Sequence, residues 1–395
     1  MEPIRRDNWA RGSNNIDPPN RLPDGFVRRL TNVDASAAGI LGLRAGYERV
    51  YSGTDVHGAW GVGKYLVFAD GLQLSALDTS TDTVRSLGVL QSRAPLAGAV
   101  LNGQLYLCSL TDSLRTDGVA LHDWHVRAPG FSIEATDGAL PAGVYKVALV
   151  ATGADGEESG CDPKILNLPN GGGIRIATND DRPLRLYASV ANGATLFYQG
   201  LMVTTTKTLS SVDDHRERLT TDGLVGLPAC SELHAYHGVL VGRDRSYVFF
   251  TSPMMPHLMD PISGFLQYGA AVDLVAPTDG GVYIAASKTY FVPDLETAQV
   301  SQREVLDFGA VAGTATKLPD GRVAWFTTYG LVIGSPDGQV TLPNRDSYAP
   351  DVAAVGAGGL IKHAGNHMVV ATMRGVTSSN NLSTGDYADL ETGNE

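Results

Sequence analysis

The segments Gly281-Val282-Tyr283-Ile284 and Gly321-Arg322-Val323-Ala324-Trp325-Phe326 show a pattern that recurs along the chain. In both, a glycine in a turn-like context precedes a short run of apolar residues, and the two glycines are 40 residues apart. This pattern is typical of a hairpin turn that leads into a buried strand. Four further glycines precede similar runs: Gly63, Gly103, Gly238 and Gly365.

The spacing of these glycines indicates a repeat. The interval is 43 residues from Gly238 to Gly281 and 44 residues from Gly321 to Gly365. A unit of about 40–45 residues can hold four short strands, which is one blade of a β-propeller. One blade cannot bury both faces of its sheet, so several must pack together. We therefore predict an all-β fold, a β-propeller of about five to seven blades; an irregular multi-sheet β fold is the alternative.

One interval breaks the repeat, because Gly103 and Gly238 are 135 residues apart. The extra length falls at residues 131–220, where about seven short apolar runs alternate with turn sequences. Seven short strands are typical of a fibronectin type III or immunoglobulin-like β-sandwich, so we predict one such sandwich inserted into the propeller. The predicted domains are an irregular arm that can supply a closing strand (1–55), blades (56–130), the inserted sandwich (131–220), further blades (221–377) and a flexible acidic tail (378–395).

Composition limits the function classes. The 395-residue chain has 46 glycines, only 18% charged residues and a net charge of −12. Abundant glycine with modest charge favours many short strands joined by tight turns. The acidic surplus argues against general nucleic-acid binding, which needs clustered Lys and Arg.

The sequence also indicates where the chain is made. The three cysteines, Cys108, Cys161 and Cys230, are too scattered for a disulfide framework or a zinc cage, which favours a reducing compartment. The first residues lack the apolar core of a secretion signal, and no run of ~18 apolar residues predicts a membrane helix. We therefore expect a soluble chain without a membrane anchor, made in a cytoplasm.

No catalytic, cofactor-binding or metal-binding residue can be assigned from the sequence. Three close histidine pairs are present, but no HExxH or CxxC motif accompanies them, so we expect surface or turn histidines: His122/His125, His234/His237 and His363/His367. Adjacent carboxylates occur in turns, where we expect them to be solvated: Glu157/Glu158, Asp180/Asp181 and Asp213/Asp214. Small arginine clusters such as Arg243/Arg245 are expected at surfaces, strand edges or interfaces. The expectation is a protein that is not an enzyme and binds no cofactor.

Several segments resemble one family. Residues 12–34 contain Asn14-Asn15, Arg21-Leu22-Pro23 and Asn32-Val33-Asp34, in a pattern similar to the start of a group of bacteriophage virion proteins. Similar segments follow further along the chain: Leu43-Arg44-Ala45-Gly46-Tyr47, His57-Gly58-Ala59-Trp60, residues 248–261, residues 325–334 and, in the insert, residues 143–145 and 156–159. The chain resembles the tail hub or nozzle proteins of short-tailed phages.

The resemblance implies a structural role. It implies a virion protein, assembled in the host bacterial cytoplasm, whose copies form a ring around the DNA exit channel of the tail. The expected partners are further copies of the chain in a ring such as a hexamer, other tail proteins such as an adaptor or fibre, and DNA that passes without sequence-specific binding. Acidic charge would repel passing phosphate.

Two other functions stay open at this point. One is a propeller that binds or cleaves host glycans, which needs aromatic platforms and paired carboxylates at one mouth of the propeller. The other is a bacterial protein-interaction propeller with no role in a virion.

Overall fold

The computed structural model describes residues 8–36, 38–44, 46, 48–295, 300–350, 353–363 and 366–375. Within these residues the regular structure is β except for one 3-10 turn at Pro19–Arg21, so the all-β prediction is confirmed. No helix among them is long and apolar enough to cross a membrane. The predicted acidic tail, 378–395, lies outside the described residues.

The N-terminal arm forms two small sheets. Strand β1 (Gly12–Ser13) pairs in parallel with β2 (Phe26–Val27), and β3 (Val33–Ala35) pairs antiparallel with β4 (Leu41–Leu43). The arm is held to a distant part of the chain by Asn15, whose side-chain amide donates to the carbonyl of Ala349 at 2.7 Å and accepts from its N–H at 2.9 Å.

Two four-stranded antiparallel sheets follow, which we call blades 1 and 2. Blade 1 consists of β5 (Val56–Val62), β6 (Tyr65–Asp70), β7 (Gln73–Asp78) and β8 (Thr83–Val89). Blade 2 consists of β9 (Ala97–Leu101), β10 (Gln104–Cys108), β11 (Ser113–Thr116) and β12 (Leu121–Asp123). In each blade the strands pair in chain order, so the sheet is a simple up-and-down meander.

The insert is a two-sheet sandwich, as predicted. Its strands are β13 (Phe131–Leu140), β14 (Gly143–Ala151), β15 (Lys164–Leu168), β16 (Gly172–Thr178), β17 (Leu184–Ala188), β18 (Phe197–Met202) and β19 (Thr206–Leu209). The sheet orders are β13-β16-β19 and β15-β14-β17-β18, so the chain crosses between the sheets several times. Alternate residues of both sheets, such as Val147, Leu149, Ile174 and Ile176, fill the common core.

Three more four-stranded sheets complete the series. Blade 3 consists of β20 (Glu232–Tyr236), β21 (Val239–Asp244), β22 (Tyr247–Phe250) and β23 (Phe265–Gln267). Blade 4 consists of β24 (Leu274–Pro277), β25 (Val282–Ala285), β26 (Thr289–Val292) and β27 (Arg303–Leu306). Blade 5 consists of β28 (Thr316–Lys317), β29 (Val323–Thr327), β30 (Gly330–Gly334) and β31 (Val340–Thr341), and a two-stranded hairpin of β32 (Ala353–His363) and β33 (Asn366–Gly375) follows it.

The repeating glycines occupy one equivalent place in the blades, the turn between the first and second strands. Gly103 and Gly238 have φ angles of +77° and +87°, a left-handed conformation in which glycine has no steric cost. Equivalent turns contain Gly63, Gly281 and Gly321, whereas Gly365 lies outside the described residues. The regular spacing therefore arises because each blade begins with a hairpin whose turn contains a glycine, although the turn is two residues long in blades 1 to 3 and longer in blades 4 and 5.

Neighbouring blades share cores, as blade 4 illustrates. Val275 and Ile284 pack with residues of blade 3, whereas the alternate residues Leu274 and Tyr283 pack with Trp325 of blade 5. This period of two sends successive side chains to opposite faces of the sheet. The first strands lie next to one another in the order β5, β9, β20, β24, β28, β32, so the blades form a row with β-propeller-like packing.

Candidate functional site: the junction of sandwich and blades

The sequence-selected histidines do not form a common site. His125 contacts the Ser113 hydroxyl through Nδ1 at 3.0 Å, His234 contacts Glu232 at 2.8 Å, and His237 contacts the backbone oxygen of Asp279 at 3.1 Å. His367 is exposed, and the side chain of His363 lies outside the described residues. Among the residues that the structure describes, no group of three or more His, Cys, Asp or Glu side chains could hold a metal ion.

The expectation of solvated carboxylates is wrong for Glu157 and Glu158. Both side chains are largely buried, because a loop of the sandwich presses them against basic partners. Glu157 pairs with Arg115 of blade 2 at 2.5 Å, and Glu158 pairs with Arg185 of β17 at 2.7 Å. Glu158 also accepts a hydrogen bond from the hydroxyl of Tyr187 at 2.7 Å.

Arg115 is the main polar link between the blades and the sandwich. It lies on β11, and its side chain is only 9% exposed. Its two terminal nitrogens bind Asp155 and Glu157 on the β14–β15 connection, and its Nε donates to the carbonyl of Asp123 at 3.3 Å. A guanidinium that binds two carboxylates from one loop fixes the direction as well as the position of that loop.

The junction extends to blade 3 through contacts made by aromatic and imidazole rings. Trp124 is 1% exposed and donates its indole N–H to the carbonyl of Pro256 at 2.9 Å. His125 stacks on Trp124 with ring centroids 4.9 Å apart, and His257 donates through Nε2 to the carbonyl of Glu158 at 2.8 Å. The segment before the sandwich and the β14–β15 loop of the sandwich are thus both joined to the blade 3 loop that contains Pro256 and His257.

The segment that leads from the sandwich back to blade 3 also forms backbone hydrogen bonds with neighbouring parts of the chain. Val225 and Met259 exchange two backbone hydrogen bonds of 3.0 and 2.7 Å, and Cys161 forms a parallel bridge with Asp222. Burial, with the nearby charge of Asp222, raises the pKa of the Cys161 thiol to about 12. This thiol therefore stays protonated and serves as a packing group. Cys108 and Cys230 are likewise buried and free.

The junction predicts sensitivity to acid. Burial, with a smaller contribution from His257, lowers the pKa of His125 to about 4, and burial also lowers the pKa of His257. The folded state therefore favours neutral imidazoles, whereas the unfolded chain takes up protons below about pH 6.5. The associated stability is present above pH 6.5 and is lost as the pH falls through 6.5 toward 4.

We expect the free energy of unfolding to fall by about 2 kcal/mol between pH 7 and pH 5, measured by urea titration. His125→Gln should reduce this pH dependence. The matched control is His215→Gln, at an exposed histidine, and it should leave the pH dependence unchanged. Equal pH dependence in the wild-type protein and the His125 variant would show that His125 does not titrate as described.

A second buried charge cluster lies between blades 3 and 4. Glu232 on β20 stands directly opposite Arg243 on β21 and binds its Nε at 2.6 Å. Arg243 also donates to the carbonyl of Val272 at 2.7 Å. Burial alone would raise the pKa of Glu232, but the hydrogen bond and charge of His234 and the charge of Arg243 hold it below its usual value.

The cluster of Glu232 and Arg243 was not predicted from the sequence, although the hairpin pattern around it would have indicated the pairing. The turn at Gly238 fixes the register of the β20–β21 hairpin, and counting outward from it places Glu232 opposite Arg243. Opposite charges at directly paired positions form a stabilising cross-strand pair. The interpretation of Arg243 as a surface, edge or interface residue holds in one respect, since it lies where two blades meet.

One groove lies at the start of the sandwich. It has a volume of about 620 Å³ and is lined by Arg127, Phe131, Ser132, Asn179 and Asp181, among others. The neighbouring Arg182 is held by Asp180 at 2.6 Å, whereas no ion pair in the described part of the chain involves the Arg127 guanidinium. The groove thus offers one aromatic ring with polar and charged groups beside it.

No family model and no curated protein matches the chain. Solved structures with some likeness include apo AztD from Citrobacter koseri (9% identity, 74% of this chain and 72% of that chain, TM-score 0.33) and dipeptidyl peptidase 4 from Porphyromonas gingivalis (9% identity, 84% and 43%, TM-score 0.31). The extracellular domain of BT4673 from B. thetaiotaomicron is another (11% identity, 75% and 36%, TM-score 0.32). At these values no activity is carried over from these proteins.

Proposed function

We propose that the protein is a structural component of a short-tailed phage tail, in which copies form a ring around the DNA exit channel and contact other tail proteins. The observation that carries the proposal is the row of five blades in the described part of the chain, with a sandwich fixed to it by the Arg115 junction. Such a row offers broad lateral surfaces for a closed ring.

Two further observations support this role. The segment from Gly12 to Asp34 resembles phage virion proteins, and it is held to the rest of the chain through Asn15. The net charge of −12 is compatible with a channel wall to which passing DNA does not adhere, because acidic side chains repel the DNA phosphates at short range. The role proposed is structural rather than catalytic, with assembly in the host cytoplasm.

The test is the mass and location of the protein. Light scattering of the purified full chain should give a multiple of 41.7 kDa, and mass spectrometry of purified particles should detect the protein in the virion. A strictly monomeric protein that is absent from particles would contradict the proposal. Neighbouring genes for a portal and other tail proteins would agree with it, and their absence would favour a bacterial protein-interaction propeller.

Glycan binding is a second candidate, favoured by the groove that contains Phe131 and Arg127. An aromatic ring beside charged groups can stack on a sugar and bind its hydroxyls. Calorimetric titration with host surface oligosaccharides tests this function. Saturable binding that Phe131→Ala abolishes would support it, whereas identical heats for both proteins would reject it.

A further inference from the structure

Two of the three cysteines lie together in the core that blades 2 and 3 share. Cys108 is the last residue of β10, and Cys230 lies just before β20. Both belong to one cluster of buried side chains, which also contains Tyr106 of blade 2 and Leu233 of blade 3. The fold therefore places side by side two thiols that are 122 residues apart in sequence.

The contact between these two cysteines is direct. The thiol of Cys108 donates to the backbone carbonyl oxygen of Cys230 at 3.5 Å, and the two thiols also interact with each other through a hydrogen bond. Gly242 of β21 leaves room for the Cys230 sulfur, since a Cβ added there would lie 2.5 Å from it. Forming an S–S bond of about 2.0 Å shortens a sulfur–sulfur contact that already exists.

Their surroundings make the two thiols chemically unequal. The hydrogen bond with the Cys230 thiol holds the pKa of Cys108 below its usual value, although burial acts in the opposite direction. The same hydrogen bond, together with burial, raises the pKa of the Cys230 thiol. One thiol thus ionises more readily, and its neighbour is placed to react with its oxidation product.

The pair lies where the chain joins two neighbouring blades least directly. Short connections lead from β8 to β9, from β23 to β24 and from β27 to β28, whereas the whole sandwich intervenes between β12 and β20. A bond between Cys108 and Cys230 gives this boundary a covalent link that bypasses the sandwich. Because the link closes a loop across 122 residues, it restricts the unfolded chain strongly.

We propose that Cys108 and Cys230 form a redox pair, which a peroxide converts into a disulfide between blades 2 and 3. First, the Cys108 thiolate attacks one oxygen of hydrogen peroxide. The O–O bond breaks, Cys108 becomes a sulfenic acid, and the departing hydroxide takes up the thiol proton as water. The Cys230 thiol then attacks the Cys108 sulfur, the S–O bond breaks, and a second water leaves with the Cys230 proton. The two sulfurs have lost two electrons, and both peroxide oxygens are reduced to water.

Burial decides which reagents can act on the pair. Cys108 and Cys230 are 2% and 4% exposed, so a bulky reagent reaches them only when the boundary between the blades opens, whereas a peroxide needs a much smaller opening. The third thiol, Cys161, lies in a different core cluster, inside the sandwich. It therefore serves as a reference within the same chain.

The experiment treats the folded, full-length wild-type protein with hydrogen peroxide, removes the peroxide with catalase, and counts free thiols by alkylation after denaturation. We expect the count to fall from three to one. A peptide map should show the peptides of Cys108 and Cys230 joined by a bond that dithiothreitol breaks. The cross-linked protein should unfold at a higher urea midpoint, which dithiothreitol returns to its original value.

Two single substitutions assign the link to this pair. Cys161→Ser is the matched control, since it removes the thiol outside the pair; after peroxide treatment it should contain the same link and no free thiol. Cys108→Ser should keep both of its thiols free, and peroxide should leave its urea midpoint unchanged. The peptide map of the wild-type protein needs no variant, so it remains decisive if a substituted chain fails to fold.

Three results would overturn the inference: three free thiols after treatment, a link between copies instead of within one chain, or oxidation of Cys108 to a sulfinic acid without a link to Cys230. The inference is independent of the proposed tail role. None of these results bears on that role, which is tested by the mass of the protein and its presence in particles.

Discussion

Glu232→Ala is expected to lower the free energy of unfolding by about 3–5 kcal/mol, because it leaves the Arg243 guanidinium buried without its carboxylate. The Arg243 side chain is 14% exposed, and its remaining hydrogen-bond acceptors, the Ser231 hydroxyl and the carbonyl of Val272, are neutral. The nearby Asp273 carboxylate interacts with its charge but forms no ion pair with it within 4 Å. An unpaired cation at this place cannot regain the hydration it lost on folding. Since blades 3 and 4 share a core beside it, the loss should affect both sheets.

Urea unfolding monitored by tryptophan fluorescence measures this effect. The matched control is Glu304→Ala, which removes a carboxylate of equal charge from an exposed pair with Lys288. We expect the control to change stability by less than about 1 kcal/mol, since exposed ion pairs contribute little. Similar losses in the two variants would show that the Glu232 cluster is not stabilised by burial of its charges.

Arg115→Ala is expected to weaken the attachment of the sandwich to the blades and to lower the free energy of unfolding by about 2–4 kcal/mol. The substitution removes both ion pairs of the junction and leaves the largely buried Glu157 without a cation. The sandwich has its own core, centred on residues such as Val147 and Ile174, so it should remain folded while its attachment weakens.

Limited proteolysis reports on attachment directly. Cleavage in the segment 210–231, which leads back from the sandwich to blade 3, should be several times faster in Arg115→Ala than in the wild type. Arg175→Ala is the control, because Arg175 pairs with Glu134 on an exposed face of the sandwich. If both variants were cleaved at the wild-type rate, Arg115 would not be what holds the sandwich in place.

The fold was predictable where a local rule repeats. The glycine before Val239 and the glycine before Val282 each mark a hairpin, and the alternation of Leu274 and Val275 between two cores follows from the two-residue period of a strand. The 135-residue interval between Gly103 and Gly238 indicated the insert, because it breaks the spacing that the other blade turns follow. The turns, the alternation within strands and the position of the insert depend on residues that are close in sequence, so they can be predicted from a single sequence.

The junction and the end of the row depend on distant partners. Nothing near Glu157 in the sequence indicates Arg115, which is 42 residues away, and the buried state of Glu157 exists only once sandwich and blade have met. The glycine spacing likewise predicts where the last hairpin starts. It does not predict how many strands follow that hairpin, because the count depends on what the rest of the sheet pairs with.

The order of strands has a consequence for synthesis. Each blade is made from one contiguous segment and pairs its strands in chain order, so the strands of every blade can pair soon after its residues leave the ribosome. Blade 1 is then available early, while the β32–β33 hairpin emerges last among the described strands. All five blades have therefore left the ribosome before the two strands of this hairpin can pair.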